Sequence, residues 1–172
     1  MNITPRFVTW GCPACNPQFV KEECLSNGKY CAPNHIKDDF NRYDGKNIIL
    51  EDLRQTCLHR EMVKQESEPK WWDYMKEVHS ECFGFISEQC SKNAHKTLGL
   101  SFDTTMKCVK ESFQGSDFSQ AENTIMKENA VQWKEYGTLY WPSVTINRVT
   151  FRGDITPENI VEDICANLAV KP

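Results

Sequence analysis

The feature that most constrains the fold is a short apolar run that ends in two closely spaced cysteines, at residues 6–15 (RFVTWGCPAC). The first part of this run favours a β-strand, and Cys12 and Cys15 follow it in a Cys-Pro-Ala-Cys motif. Two cysteines with this spacing after a strand are typical of a redox motif at the start of an α/β domain. The sequence therefore predicts an opening strand with Cys12 directly at its end.

A second segment, about 130 residues later, predicts the structural partner of this motif. Residues 140–146 (YWPSVTI) form a β-prone run with Pro142 at its start, and the X-Pro step there is a candidate cis peptide. Residues 147–148 (Asn-Arg) then predict a tight turn before a second strand over 149–151. In thioredoxin-like folds these two places face each other, so we expect Cys12 to lie near Pro142.

The region between these segments predicts a long helical block. Apolar residues recur at helical spacing and indicate helices over residues 46–63, 71–82, 86–98 and 102–113. A Ser-x-x-Glu capping box at 119–122 predicts a further helix to about residue 133, and Thr156–Pro157 predicts the start of the last helix, with Cys165 facing inward. The predicted fold is thus α/β and disulfide-rich: one thioredoxin-like domain over residues 1–172, with a large helical insertion at about 46–134.

The cysteine content predicts an oxidising compartment. A chain of 172 residues can bury a core without cross-links, yet it carries nine cysteines, as proteins of the secretory lumen often do. Cys24 and Cys31 flank an Asn-Gly turn signal, so we expect a local disulfide between them. Four further cysteines lie on neighbouring predicted helices, which predicts that the helical section is itself cross-linked: Cys57, Cys82, Cys90 and Cys108. Because nine is odd, at least one thiol is free or pairs outside this sequence.

Charge and hydropathy narrow the range of partners. The net charge is -4, and basic residues are scattered among acidic ones, which argues against nucleic acid or an anionic membrane as a partner. No apolar run approaches the ~20 residues of a membrane-spanning helix, and no signal segment opens the chain, so a luminal protein would be present here as a mature portion. Asn2 begins an N-glycosylation sequon. No cofactor is predicted.

Several longer motifs, taken together, resemble one family. They are FVTWGCP (7–13), NGKYCAP (27–33), YDGKN (43–47), LRQTC (53–57), WWDY (71–74) and WPSVTINRVTFRG (141–153). Their order is similar to that in vacuolar sorting receptors, in the luminal region between the protease-associated domain and the EGF-like repeats. The resemblance covers roughly residues 6–168.

The resemblance implies a type I membrane receptor that binds soluble cargo proteins through peptide sorting signals and carries them from the Golgi towards a vacuole or lysosome. This chain would then be a luminal, non-enzymatic module whose partners are cargo and the rest of the anchored receptor, without membrane contact of its own. The expected contact surface is a cleft formed by residues 10–15, 141–143 and the loop 31–45. Its predicted binding residues are Trp10, Trp141, Ser143, Tyr43 and Asp44.

Redox chemistry is the main alternative function. If Cys12 lies at a helix N-terminus, the helix dipole stabilises its thiolate, Cys15 serves as the resolving thiol, and a cis Pro142 packs against the pair. A permanent structural disulfide between Cys12 and Cys15 is the simpler interpretation. The Asn16–Pro17 step that follows favours it, because this step is a poor start for a regular helix. The sequence leaves both interpretations open.

Two metal sites are weaker alternatives. A zinc site could use Cys12, Cys15, Cys24, Cys31 and His35, although these intervals are irregular for a structural zinc site. A calcium site could use Asp38, Asp39 and Asp44, but their spacing does not match an EF-hand loop. The prediction is therefore that the chain holds no metal.

Overall fold

The computed structural model describes residues 3–32, 45–84, 86–136 and 142–167, without the side chain of Trp133. The chain divides into two compact units, Met1–Lys127 and Glu128–Pro172. Most of the described residues are helical. The elements are α1 (Pro17–Glu23), β1 (Cys24–Leu25), β2 (Tyr30–Cys31), α2 (Gly45–Lys64), α3 (Pro69–Cys82), α4 (Glu88–Thr97), α5 (Phe102–Ser112), α6 (Thr124–Glu135), β3 (Thr145–Ile146), β4 (Val149–Thr150) and α7 (Pro157–Ala166).

Helix α2 is the central element of the first unit. Its apolar residues recur every three to four positions and are buried along most of its length. Ile49 and Leu53, near its N-terminal end, pack with the β1–β2 hairpin and α5, whereas Leu58 and Met62 pack with α3 and α4. One helix therefore joins two apolar clusters.

The two clusters are built differently. The first places the inner face of the hairpin, including Leu25 and Tyr30, against α2, α5 and the start of α6. The second is a purely helical cluster in which Trp71 is 4% exposed and donates its indole N–H to the carbonyl of Gln55 at 2.9 Å. Neighbouring Trp72 is 46% exposed, so adjacent tryptophans on α3 occupy the core and its rim.

Four disulfides cross-link the described residues, which include all nine cysteines. The pairs are Cys12–Cys15, Cys24–Cys31, Cys57–Cys108 and Cys82–Cys90. The predicted hairpin disulfide and the predicted cross-linking of the helical section are confirmed. Cys165 is free and exposed on α7, so the prediction that it faces inward is wrong.

Helix ends mostly follow local sequence signals. The N-caps of α4, α5 and α7 are Ser87, Ser101 and Thr156, each of which accepts a backbone N–H with its side-chain oxygen. After α4, Gly99 has φ +64°, and the amide of Leu100 donates to the carbonyl of His95, which closes the helix.

The capping box predicted at residues 119–122 does not start a helix. Helix α6 begins at Thr124, and the side chain of Asn123 accepts the amide of Met126 at 3.0 Å. The backbone carbonyl of Ser119 instead accepts the amide of Asn27. A contact with a distant turn has therefore displaced the local signal.

The predicted opening strand is not formed. Within the described residues the strands are two-residue pairs in two separate hairpins, β1–β2 and β3–β4, and residues 3–9 belong to neither. Among the described residues before α1, only Trp10 forms an antiparallel bridge, and its partner is Cys31. Because β2 is only two residues long, it offers the first segment too short an edge for a regular strand pair.

The second unit contains the predicted late hairpin. Asn147 and Arg148 have φ of 49° and 69°, as a tight two-residue turn between β3 and β4 requires. The hydroxyl of Thr150 donates to the carbonyl of Tyr136 at 2.8 Å, and the side-chain amide of Asn147 donates to the carbonyl of Asn167 at 2.9 Å. These bonds join the hairpin to the ends of α6 and α7.

A buried polar network connects the helices of the first unit. Glu51 accepts hydrogen bonds from Arg54 Nε at 2.8 Å and from the Tyr74 hydroxyl at 2.9 Å. The Tyr74 hydroxyl is 2.7 Å from the Ser91 hydroxyl, and the carbonyl of Ser91 is 2.8 Å from Nδ1 of His95. The side chains of the network are almost inaccessible to solvent, so it lies within the helical core: Glu51, Arg54, Tyr74, Ser91 and His95.

Burial changes the pKa of two histidines, so that the stability of the fold depends on pH. Desolvation lowers the pKa of His95, and it also lowers the pKa of His59, where Glu68 partly opposes the effect. A histidine whose pKa falls on folding binds more protons in the unfolded chain, so its contribution is lost as pH falls below about 6.5. Asp52 acts in the opposite sense, because desolvation raises the pKa of its carboxyl well above the ordinary value.

We therefore expect the variant His95→Gln to lose less stability than the native chain when the pH is lowered from 7.0 to 5.0. The free energy of unfolding, measured by urea denaturation at several pH values, checks this prediction. Comparing the two slopes removes the opposing effect of Asp52, which is common to both proteins. Parallel curves would show that His95 does not contribute to the pH dependence.

Candidate functional site

The candidate site is built on the loop closed by the Cys12–Cys15 disulfide. The amide of Cys15 donates to the carbonyl of Cys12 at 3.1 Å, which forms a turn. Both cysteines precede α1, which begins at Pro17 with Asn16 as its N-cap. The redox alternative required Cys12 at a helix N-terminus, and the structure does not place it there. The expectation that the Asn16–Pro17 step is a poor helix start is wrong, because α1 begins at this step, after the motif.

This loop is docked on the β1–β2 hairpin. The amide of Cys12 donates to the carbonyl of Gly28 at 2.7 Å. Trp10 and Cys31 exchange two backbone hydrogen bonds, of 3.3 and 2.8 Å. The loop that carries the disulfide is thus held at both its start and its middle by the hairpin.

The hairpin turn has an unusual backbone. Ser26, Asn27 and Gly28 are consecutive residues with φ of 52°, 54° and 82°. Such values are unfavourable for serine, so tertiary contacts must stabilise the turn. A Cβ on Gly28 would lie 2.8 Å from the Cα of Pro13, which shows how closely the turn and the disulfide loop approach.

Residues 118–122 support the hairpin turn through further contacts. The amides of Ser26 and Asn27 donate to the carbonyls of Phe118 and Ser119 at 3.2 and 2.6 Å. Lys29, in the same turn, forms an ion pair with Glu122. The disulfide loop, the hairpin turn and residues 118–122 therefore form a hydrogen-bonded stack, in which each layer positions the next.

Gly28 is the contact point that we expect to tolerate substitution least. Gly28→Ala places a Cβ against the backbone of Pro13 at a positive φ, so we expect it to lower the free energy of unfolding by more than about 1 kcal/mol. Gly99→Ala is the matched control, because Gly99 also has a positive φ but its Cβ would meet no atom within 4 Å. Both variants place alanine at a positive φ, and only Gly28→Ala adds a steric clash, so urea denaturation of the two isolates the effect of the clash. Equal losses of the free energy of unfolding would contradict the close contact between the turn and Pro13.

The structure describes only part of the predicted surface. Trp10, Cys12 and Cys15 lie on one loop, where Trp10 is 37% exposed and both cysteines are partly exposed. Pro142 and Ser143 belong to the second unit and are exposed. The other predicted binding residues, Tyr43, Asp44 and Trp141, lie outside the described residues, as does the peptide bond that precedes Pro142.

Comparison with known proteins gives the family. A family model described as the vacuolar sorting receptor thioredoxin-like domain matches residues 1–165. The chain belongs to this family. The fold and family that the motifs implied are thus confirmed at the level of a thioredoxin-like domain, mostly helical with few strands and four disulfides.

Plant relatives of this vacuolar sorting receptor domain match almost the whole chain. Vacuolar-sorting receptors 6 and 7 of Arabidopsis thaliana are 30% and 32% identical over 95% of the chain. Vacuolar-sorting receptor 1 of Pisum sativum is 29% identical over 95% of it. The chain spans 27% of the length of each of these relatives. No helix in the described part of the chain combines the length and the apolarity that crossing a bilayer requires.

The cysteines that the zinc alternative required are joined to each other. Cys12, Cys15, Cys24 and Cys31 form two disulfides, so their sulfurs are not available as thiolate ligands. In the described part of this vacuolar sorting receptor domain, no cluster of three or more His, Cys, Asp or Glu side chains is arranged to hold a metal ion. The remaining ligands considered for zinc and calcium lie outside the described residues: His35, Asp38, Asp39 and Asp44.

Sequence reasoning missed the residues that position the loop. Ser26 and Glu122 act through contacts to segments about 95 residues apart in the chain, and no local pattern marks them. The Asn27–Gly28 turn signal correctly indicated the hairpin, and it lies within the NGKYCAP motif at residues 27–33. Its physical role is to provide the turn on which the disulfide loop rests.

Proposed function

We propose that this chain is a luminal, cargo-binding module of a vacuolar-type sorting receptor and that it binds soluble cargo proteins or sorting-signal peptides. Membership of the vacuolar sorting receptor family is the observation that carries the proposal. The four disulfides support a location in the lumen of the secretory and endosomal pathway, between the Golgi and a vacuole or lysosome. The remaining receptor would supply the membrane anchor, and Asn2 would carry a glycan.

The proposed contact surface is centred on Trp10. A partly exposed tryptophan on a loop fixed by a disulfide and three backbone hydrogen bonds can bury a large aromatic ring while losing little conformational entropy on binding. Cys12 and Cys15 would serve here as the staple that keeps this loop rigid. Further contacts are proposed for Trp141, Ser143, Tyr43 and Asp44.

Binding of labelled sorting-signal peptides from soluble vacuolar hydrolases, followed by fluorescence polarisation, tests this surface. We expect Trp10→Ala to weaken binding at least about tenfold, as loss of a buried aromatic anchor does. Trp72→Ala is the matched control, because Trp72 is also exposed but lies on α3, and it should change the affinity by less than about twofold. Unchanged affinity in Trp10→Ala would exclude Trp10 as an anchor.

We further propose that residues 1–172 form one thioredoxin-like domain, with residues 46–134 as a helical insertion and Cys12 near Pro142. The family match over residues 1–165 supports a single thioredoxin-like domain. In the double variant Cys15→Ser and Ser143→Cys, the freed Cys12 should form a new disulfide with residue 143, detected by mass spectrometry. The control Cys15→Ser with exposed Ser116→Cys should form none, and equal cross-linking in both variants would contradict the proposal.

A thiol-disulfide oxidoreductase of the secretory pathway is the second candidate. Cys12–Cys15 is the one pair among the four disulfides in which both cysteines are partly exposed, so a reducing dithiol can approach it most readily. Thiol labelling across a glutathione redox series distinguishes the two functions. Exchange near about -180 to -230 mV would support catalysis, whereas resistance to reduction down to about -300 mV would identify a structural staple.

A further inference from the structure

A surface groove on the first unit lies apart from the candidate site. It has a volume of about 400 Å³ and is lined by α4 and by the segment that leads into α5. Its lining residues are Gln89, Lys92, Asn93, His95, Lys96, Leu100 and Phe102. None of them belongs to the stack that holds the disulfide loop.

The charge of the groove is opposite to that of the whole chain. Lys92 and Lys96 are exposed and lie one turn apart on the same face of α4. Among the described residues that line the groove none is acidic, although the chain has a net charge of -4. His95 is a buried lining group: burial lowers its pKa, and its two ring nitrogens contact the Ser91 carbonyl and the Thr105 hydroxyl. The groove therefore presents two ammonium groups without a compensating carboxylate on its wall.

The remaining lining groups favour a peptide over a simple anion. Leu100 and Phe102 form an apolar wall, and Phe102 is held edge-on against the His95 ring at a centroid distance of 5.3 Å. The closing turn of α4 fixes Leu100, whose amide donates to the carbonyl of His95 at 2.8 Å. Gln89 and Asn93 add side-chain amides that are hydrogen-bonded to each other at 2.9 Å and can also bind a peptide backbone. A small anion would use the two lysines and leave the rest of the groove without a role.

We propose that this groove is a second recognition site, which binds an extended acidic peptide segment of a partner protein. A carboxylate of the segment pairs with Lys92 and Lys96, and a neighbouring aliphatic or aromatic side chain packs on Leu100 and Phe102. The site does not depend on the proposed function of the Trp10 surface, because the two share no residue. Electrostatic complementarity determines its choice of partner, and the apolar wall determines where the segment lies.

The test uses the whole chain and a fluorescein-labelled peptide, Gly-Glu-Leu-Glu-Phe-Gly, in fluorescence polarisation. We expect saturable binding that the double variant Lys92→Glu and Lys96→Glu weakens at least about tenfold. The matched control is Lys107→Glu with Lys110→Glu, which reverses two exposed lysines on α5 outside the groove and should keep the affinity within about twofold. Circular dichroism of both double variants verifies that they are folded.

Two further measurements make the outcome decisive. A peptide with Gln in place of both Glu residues should bind at least about tenfold more weakly, and Trp10→Ala should leave the affinity for the Glu peptide unchanged. Absence of binding by the native chain at about 1 mM peptide would overturn the proposal, as would equal losses in the two double-lysine variants. If the Trp10 variant alone lost binding, the peptide would be a ligand of the Trp10 surface and the groove proposal would fail.

Discussion

Replacing Glu51 with alanine is expected to lower the free energy of unfolding by about 3 to 5 kcal/mol, which would be among the largest effects of any single substitution in this chain. Glu51 and Arg54 are 2% and 1% exposed and are joined by a hydrogen bond of 2.8 Å. Without Glu51 the guanidinium would remain buried without its counter-ion, and the Tyr74 hydroxyl would lose an acceptor. Urea denaturation followed by tryptophan fluorescence measures the change.

The double variant Glu51→Gln and Arg54→Met is the control for this interpretation. It removes both charges and keeps groups of similar size, so we expect it to recover at least half of the loss. Nη1 and Nη2 of Arg54 have no hydrogen-bond partner among the described residues, so removing this guanidinium sacrifices few bonds. A loss below about 1 kcal/mol in Glu51→Ala would show that the pair is not buried as described.

Removal of the Cys57–Cys108 disulfide is expected to have the second large effect. The bond joins α2 to α5 across a sequence separation of 51 residues. The loop-closure entropy of the unfolded chain predicts a loss of about 4 kcal/mol for Cys57→Ala with Cys108→Ala. Cys57 also belongs to the first apolar cluster, so its replacement removes packing in addition.

The Cys82–Cys90 disulfide provides the matched comparison, because it also joins two helices but closes a separation of only 8 residues. The same relation predicts a loss of about 2.5 kcal/mol for Cys82→Ala with Cys90→Ala. Denaturation under non-reducing conditions gives both values. A smaller loss for the Cys57–Cys108 pair than for the Cys82–Cys90 pair would mean that loop length does not govern disulfide stabilisation in this domain.

The helices were the part of the fold that the sequence predicted best. The expected stretches 46–63 and 102–113 differ from α2 and α5 by a single residue at their ends. Apolar spacing of three and four residues is a property of the segment itself, and caps such as Ser101 act within one turn. The same locality explains the correct turn at residues 147–148, whose conformation depends on its own side chains and on the twist of its strands.

Of the candidate site, the sequence indicated the cysteine pair but not its geometry. The motif indicated Cys12 and Cys15 as a pair, and the structure joins them. The helix N-terminus that the redox alternative required at Cys12 is not formed, because the Asn16–Pro17 step starts α1 only after the motif. A preceding strand also failed to form, since β2 offers Trp10 a single pairing position.

The helical segments of this domain, its oxidised cysteines and its family could be predicted from the sequence, because each rests on residues close together in the chain or on ordered motifs. The pairing of cysteines between α2 and α5, the start of α6 and the support of the turn at Ser26 became visible only in the folded chain. Those features depend on backbone groups from distant segments that become neighbours only after the core has formed. A local pattern carries no information about a partner 95 residues away, so the stack beneath the disulfide loop is visible only in the folded chain.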